Sequence, residues 1–324
     1  MRILVIGLGR WGVKHLRVLD ELGVEVWVAE RSEDRRRLAL ASGIGPDRVH
    51  ADFRDGLPHV DAVDVVTPAD SHLAVAGHCL RAGKPCFVEK PLAATIGEAR
   101  ELAGIVTATG GLLQVGHVFR FHPVAEALQE RLDRDTVGRV RYCTGRFAGF
   151  KRPRNDVGIT QTDAIHFFDL FAALLRRAPT AVTAALRDYL GRGLDDCAFA
   201  AVEYGEVTAF IEASYFAPRT MRECVIVGEG ATLVGDFSAS TVHVYPNRHV
   251  RGSAAWQVSE GPVEVIEAKG PEPLREELAH FLDVVKRGAS PSVNVADGLR
   301  SLRTVTAARM SSELGRRVLL EEAG

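Results

Sequence analysis

The chain has little cysteine. Five residues in 324, at positions 79, 86, 143, 197 and 224, form an odd set with no C-x-x-C pair. This excludes a disulfide framework or a zinc knuckle and suits a reducing compartment, so a cytoplasmic protein is expected. Long hydrophobic runs are also missing. The opening Met-Arg-Ile-Leu-Val-Ile-Gly has four apolar residues between Arg2 and Gly7, too short for a signal-peptide core. No stretch approaches a membrane span in length, and no membrane partner is expected. Neither sign of charge dominates. The 40 Lys and Arg face 42 Asp and Glu, a formal net charge of −2, so nothing points to nucleic acid. No His, Cys, Asp and Glu set has metal-ligand spacing, and no catalytic metal is expected.

What is present is an ordinary globular mixture, 46% hydrophobic and 25% charged, long enough for two cores. Residues 3–6 form a continuous apolar run, as a strand buried on both faces should. Gly7, Gly9 and Gly12 follow with G-x-G-x-x-G spacing around Arg10 and Trp11. Val13, Leu16, Leu19 and Leu22 then recur at helical spacing up to Gly23, and a second apolar strand ends at Glu30. A glycine loop between strand and helix, with an acid 18 positions after Gly12, is the context a dinucleotide needs. Gly7 permits the turn, Gly9 lets backbone approach a pyrophosphate, and Gly12 lets helix and strand pack. The helix N-terminus offers free N–H groups to the phosphates.

Glu30 favours NAD, because a carboxylate accepts from ribose hydroxyls and repels a 2′-phosphate. Arg31 and Ser32 follow it and suit such a phosphate, so NADP is the alternative. Alternation of strand and helix continues. A strand ends at Thr67-Pro68, and a helix follows with Asp70 as expected N-cap and Gly83 as stop. Another strand ends at Glu89-Lys90-Pro91. A helix with a Thr95–Glu98 capping box comes next. The pattern predicts a doubly wound parallel sheet, the α/β Rossmann class, over residues 1–119. Ligands of such sheets bind beyond the carboxyl ends of the strands, where Glu89 and Lys90 stand.

From about residue 120 the pattern changes. Strand-like segments at 138–150, 180–187, 196–204, 206–216, 222–228, 231–237 and 241–246 dominate, with hairpin turns near 205 and 229. They predict a separate α+β domain over residues 120–324 with a large, mostly antiparallel open sheet. Helices over 272–287 and 296–314 are expected to pack on it. One helical stretch, Thr-Asp-Ala-Ile-His-Phe-Phe-Asp-Leu, carries His166 in apolar surroundings, where a histidine is ordinarily a satisfied core residue. The basic run Lys-Arg-Pro-Arg-Asn-Asp at 151–156, with Asn155, reads either as a solvated loop or as a clamp for an anionic substrate. His117 and His122 flank Arg120 and stay unassigned. Cys79, Cys86 and Cys197 read as inert core residues.

Several segments together resemble the glucose–fructose oxidoreductase/inositol dehydrogenase (Gfo/Idh/MocA) family over nearly the whole chain. They are Gly-Leu-Gly-Arg-Trp-Gly, the stretch 67–93 ending in Phe-Val-Glu-Lys-Pro-Leu-Ala, the Arg-Phe-His-Pro segment at 120–123, and Gly158 through Asp169. The resemblance implies cofactor contacts at the glycine loop, Thr67, Pro68, His72, Glu89 and Lys90. It implies that Lys90 also touches substrate, that the peptide before Pro91 is often cis, that Arg120 lies in the substrate cleft, and that His166 is the proton-transfer residue. Two positions depart from the family pattern. Ala69 stands where an Asn is usual. The usual Asp four residues before the histidine is Thr162, and Asp163 lies three before. Either Asp163 orients His166, or Thr162 lines the pocket and Asp163 caps the helix.

The expected function is therefore an NAD(P)-dependent oxidoreductase acting on a secondary alcohol of a sugar, cyclitol or sugar derivative, including acidic or nucleotide-linked ones. His166 would move the proton and Lys90 would stabilise the oxygen. A redox-neutral NAD-dependent glycoside hydrolase of the same family and a non-catalytic dinucleotide-binding regulator are the alternatives. Relatives often pair through the open sheet face, which implies a homodimer or homotetramer.

Overall fold

A strand buried on both faces needs helices on both sides, and the first part of the chain alternates the two. The computed structural model describes residues 1–324. In it β1 (Arg2–Ile6), β2 (Glu25–Ala29), β3 (Val49–His50), β4 (Ala62–Val65), β5 (Cys86–Glu89) and β6 (Leu113–Gly116) form one sheet in the order β3-β2-β1-β4-β5-β6. Every pairing is parallel. The order reverses between β1 and β4, the switch point at which doubly wound sheets open a crevice. The returning helices are α1 (Gly12–Glu21), α2 (Glu33–Ala41), α3 (Phe53–Gly56), α4 (His72–Arg81) and α5 (Ile96–Thr109).

Helix boundaries follow local chemistry with one exception. Thr95 and Glu98 form the expected capping box of α5. Gly23 and Gly83 end α1 and α4 at φ +71° and +73°, a conformation other residues adopt reluctantly. Asp70, however, does not cap α4. A 3₁₀ turn over Ala69–Ser71 intervenes and the helix starts from Ser71, so Asp70 faces solvent one step too early.

The second unit begins with α6 (Pro123–Asp133), β7 (Val140–Ala148), α7 (Ile165–Leu174), β8 (Ala181–Arg187), β9 (Cys197–Tyr204), β10 (Val207–Ser214), β11 (Met221–Gly228), β12 (Thr232–Asp236) and β13 (Thr241–Tyr245). β14 (Arg248–Arg251), β15 (Trp256–Ser259) and β16 (Glu264–Glu267) follow, and β17 (Val318–Leu319) comes last. Nine of these strands form a sheet in the order β16-β13-β12-β11-β7-β10-β9-β8-β17. It is antiparallel except where β7 meets β10. β14 and β15 make a separate ribbon, almost wholly exposed. With charged and polar residues at most of its positions, it gave no apolar alternation to find in the sequence. α7 covers one sheet face: a Cβ on Gly145 of β7 would lie 2.8 Å from the Phe167 ring.

The late helices depart from expectation. α8 (Pro273–Arg287) packs on the first unit, not the second. Leu274, Leu278, Phe281 and Leu282 share one core with Ile3, Val5, Leu16 and Phe87, and the Phe87 and Phe281 rings meet edge to face at 5.8 Å. Each such burial contributes about 1.5–3 kcal/mol, and the parallel sheet needs that cover. Two compact units result: residues 1–118 with 272–302, and 119–271 with 303–324, the division falling inside α9 (Val295–Leu314). No helix is long and apolar enough to cross a membrane.

Candidate active site

The glycine loop leaves β1 at Gly7, whose φ is +97°. A Cβ on Gly12 would sit 2.0 Å from the Gly7 carbonyl oxygen, so helix and strand require glycine there. Gly9 is different: no protein atom lies within 4 Å of the place its Cβ would take. The chain itself does not demand glycine at that position, but a ligand pressed against the backbone would. The residues present thus fit a dinucleotide pyrophosphate at the start of α1. Arg10 is exposed, and the Trp11 ring is half-buried with the Lys14 ammonium 4.3 Å from its centre.

Glu30 ends β2 and is buried. Its Oε2 accepts the Leu8 N–H at 2.7 Å and its Oε1 accepts the Ser32 N–H at 2.8 Å. The carboxylate therefore braces the glycine loop, and its remaining lone pairs are available to ribose hydroxyls. Arg35 stands 3.8 Å from it. Arg31 is exposed, and its carbonyl shares the Arg36 guanidinium with that of Glu30 at 2.7 Å each.

At the end of β4, the Ser71 hydroxyl donates to Thr67 Oγ1 at 2.7 Å; Pro68 is exposed and Ala69 buried. His72 lies under this turn, 1% exposed. Its Nε2 is 2.9 Å from the Thr67 carbonyl and its Nδ1 is 3.0 Å from that of Pro91. Burial holds its pKa below the ordinary histidine value. Its place in the structure is a tie between two strand ends, with both ring nitrogens turned to backbone carbonyls. The Lys90–Pro91 peptide is cis, as the family resemblance implied. Glu89 is buried, and its Oε2 accepts the N–H of Lys90 at 3.0 Å.

Sequence reasoning missed two residues here. His15 on α1 is fully buried, with Nδ1 2.9 Å from Asp64 Oδ2 and Nε2 3.2 Å from Glu89 Oε1. Burial pushes its pKa down, but Asp64 and then Glu89 more than reverse this, to about 10. Burial by itself would raise the Glu89 carboxyl; the hydrogen bond and charge of His15 instead hold it below the usual value. The signal was available. Asp64 interrupts the apolar run Ala-Val-Asp-Val-Val, and a charge inside a buried strand needs a partner.

In the second unit, residues Thr160–Ala164 form a π-helical turn running directly into α7. Such wide turns shift the side-chain register, and they recur at functional sites. The turn is anchored by Asp195, whose Oδ2 accepts the N–H and hydroxyl of Thr160 at 2.7 and 2.6 Å. A Cβ on Gly158 would collide with that carboxylate at 1.8 Å, which accounts for the glycine. Thr162 Oγ1 lies 3.2 Å from the Tyr215 hydroxyl, so Thr162 lines this region together with Tyr215. Burial raises the Tyr215 pKa. Asp163 pairs with Lys151 Nζ at 2.7 Å. It is buried inside the π-turn and makes no N-terminal cap to α7.

His166 is 6% exposed and lies nearly parallel to Phe119 and Phe147, with ring centres 4.8 and 5.2 Å away. The Arg222 guanidinium covers Phe147 at 3.5 Å, and burial lowers its pKa. Lys151 lies 4.9 Å from the Phe147 ring and 5.6 Å from that of Tyr215. Of the basic run, then, Lys151 turns toward the His166 cluster. Arg154 pairs with Asp156, and Asn155 is exposed. Arg120 does not present a free guanidinium to a substrate. Its Nε and Nη2 grip the two oxygens of Asp169 at 2.6 and 2.5 Å, a bidentate pair that fixes the 3₁₀ turn Val118–Phe121, ahead of α6, to α7. His122 caps α6 by accepting the Val124 N–H at 3.1 Å, and His117 is buried.

Comparison with known proteins agrees with both halves. Residues 1–117 match the family model described as an oxidoreductase family with an NAD-binding Rossmann fold, and residues 125–234 match the GFO/IDH/MocA C-terminal domain. The chain is 27% identical to the scyllo-inositol 2-dehydrogenase (NAD(+)) of Bacillus subtilis, over 99% of this chain and 96% of that one. It is 29% identical to inositol 2-dehydrogenase 1 of Saccharopolyspora erythraea, over 100% and 97%. Among solved structures, the UDP-N-acetylglucosamine 3-dehydrogenase of Acidithiobacillus ferrooxidans superposes with a TM-score of 0.82 at 25% identity, covering 97% of this chain and 98% of that one.

Proposed function

From the premise that the chain belongs to the Gfo/Idh/MocA oxidoreductase family, we propose that it oxidises a secondary alcohol of a neutral sugar or cyclitol with NAD, or reduces the corresponding ketone. The observation that carries this reading is the cradle at Gly9, open to a ligand, braced by Glu30 and lying at the switch point of the sheet. The dinucleotide, when bound, supplies the hydride chemistry.

The residues of this chain supply proton handling and orientation. In the oxidation direction His166 accepts the hydroxyl proton, a task suited to imidazole. Lys90, at the end of β5, is the hydrogen-bond donor suited to offset negative charge developing on an alcohol oxygen. Thr162, Tyr215 and Lys151 bind the rest of the substrate. The pairing of Lys151 with Asp163 favours an uncharged substrate over a uronic acid, since the ammonium is already neutralised. Glu30 favours NAD over NADP. The exposed aromatic residues Tyr142, Phe199 and Phe210 on the nine-stranded sheet support pairing of two or four copies through that face. Five free cysteines, all buried, suit the cytoplasm.

The test is nicotinamide absorbance at 340 nm in a substrate panel, a wavelength set by the cofactor. Purified protein receives NAD or NADP with inositols, free sugars, uronic acids and nucleotide sugars. Reduction of NAD by a neutral polyol or sugar is expected. A panel with no reduction, while NADH still binds, would overturn the dehydrogenase reading.

A further inference from the structure

A buried charge cluster behind the glycine loop takes no direct part in the proposed chemistry. His15 lies three residues past Gly12, on the helix that receives the glycine loop. Its imidazole sits between two carboxylates on adjacent strands, Asp64 of β4 and Glu89 of β5. The Phe87 and Trp11 rings stand edge-on to it at 5.6 and 6.3 Å. A neutral imidazole has one N–H, whereas two ionised carboxylates at the two ring nitrogens both require a donor. Both nitrogens donate only in the imidazolium. Asp64 Oδ1 has no hydrogen-bond partner and is buried, so His15 is the group that balances this carboxylate.

The other end of the cluster is the informative one. Glu89 receives His15 on Oε1, and with Oε2 it accepts the backbone N–H of Lys90. A carboxylate held at one oxygen by a fixed cation cannot turn away from the amide it holds with the other. The direction in which the chain, and with it the Lys90 side chain, leaves β5 is therefore fixed from α1. We propose that His15 is a positioning residue for Lys90, acting through the carboxylate of Glu89. This rests on the reading of Lys90 as the donor to the reacting oxygen. Without His15, burial favours the protonated Glu89 carboxyl, which loses its hold on the strand end as pH falls. The groups that bear on Glu89 are His15, Lys90 and, more weakly, His72; those that bear on His15 are Asp64 and Glu89. The raised His15 and lowered Glu89 values agree with this arrangement.

The experiment uses the full chain and nuclear magnetic resonance. In the native protein, both ring nitrogens of His15 should carry protons up to about pH 9; a neutral ring at pH 7.5 would overturn the proposal. The double variant His15→Ala/Asp64→Asn removes the cation without leaving a bare carboxylate at position 64, so that the consequence falls on Glu89. The Lys90 amide resonance should move and acquire an acidic titration absent from the native protein. With a substrate identified by the nicotinamide assay, kcat should fall about tenfold or more and the acid limb of the pH–rate profile should move upward, while NADH affinity stays within about threefold. An unmoved Lys90 amide and an unmoved acid limb would overturn it. Should the double variant not fold, Glu89→Gln serves: the Lys90 amide should move and the His15 pKa should fall by about a unit or more, and failure of both refutes the proposal. If the substrate panel is silent, the reading of Lys90 fails, yet the two resonances still decide whether His15 governs the strand end.

Discussion

The ammonium of Lys151 lies 2.7 Å from the carboxylate of Asp163, which the π-helical turn carries to the side of α7 facing β7 and Tyr215. A basic loop and a one-position departure from the family pattern, unrelated in the sequence, thus meet in one ion pair. Asp163→Ala should remove that carboxylate from beside the ammonium. We predict that kcat/KM for uronic acids relative to neutral substrates rises about fivefold, the scale of one half-exposed charge pair. An unchanged ratio in paired steady-state assays would remove Lys151 from the substrate region.

Lys90 leads to a sharper prediction. Loss of one donor to a reacting oxygen lowers a rate by ~10²–10³. Lys90→Ala should show that loss in kcat while NADH binding, followed by fluorescence, changes less than about tenfold. A variant that turns over at the native rate would refute the role.

Glu30 braces the glycine loop and is proposed to meet the cofactor's ribose, so its removal should do two things. Glu30→Ala is expected to raise KM for NAD by about tenfold, from the loss of charge-assisted bonds to Leu8 and Ser32. It should also raise the NADP/NAD ratio of kcat/KM, since the repulsion of a 2′-phosphate goes with it. Kinetics with both cofactors separate the effects, and a constant ratio would contradict the second.

The buried cluster makes stability depend on pH in a defined direction. His15 has a folded pKa of about 10 against an unfolded value of 6.5, so its contribution is complete below pH 6.5 and is lost as pH rises toward 10. Glu89 is depressed, so its contribution is present above the unfolded value of 4.5 and is lost as pH falls below it. Thermal unfolding should show Tm falling from pH 7 to pH 10. The His15→Ala/Asp64→Asn variant should show a much flatter alkaline slope; an equal slope would place the titration elsewhere.

Phe281 tests the packing of α8. Phe281→Ala should destabilise the first unit by about 3–5 kcal/mol, as deletion of a fully buried aromatic ring does. Hydrogen exchange resolved by segment should show the loss in β1 and α1. A loss confined to the nine-stranded sheet would contradict the assignment.

The doubly wound sheet was legible because its strands are continuous apolar runs and its turns carry glycines whose spacing has a mechanical meaning. Glu30, Glu89 and Lys90 could be located by their place at strand ends, while the cis peptide before Pro91 was implied only by the family resemblance. His15 and Asp64 were not, because period and propensity report on neighbours along the chain, and these two are partners across 49 residues. The pairing of Arg120 with Asp169 was hidden for the same reason. Thr162 and Asp163 were ambiguous because a helix of ordinary pitch was assumed, and the π-turn changes which way each points. α8 was assigned to the wrong unit because an amphipathic pattern shows that a face is buried without showing against what.

The first unit is assembled from two stretches of chain separated by the whole of 119–271. During synthesis the glycine loop and six strands emerge first, yet Phe87 and Leu16 wait for Leu278 and Phe281, the nearer of which leaves the ribosome about 190 residues after Phe87. The cofactor-binding fold is thus the first part begun and among the last completed. A truncated product ending before residue 272 would lack α8, leaving the core of the nucleotide fold uncovered, and would lack β17 at the edge of the second-unit sheet, which marks it for chaperones and proteases rather than for partial activity.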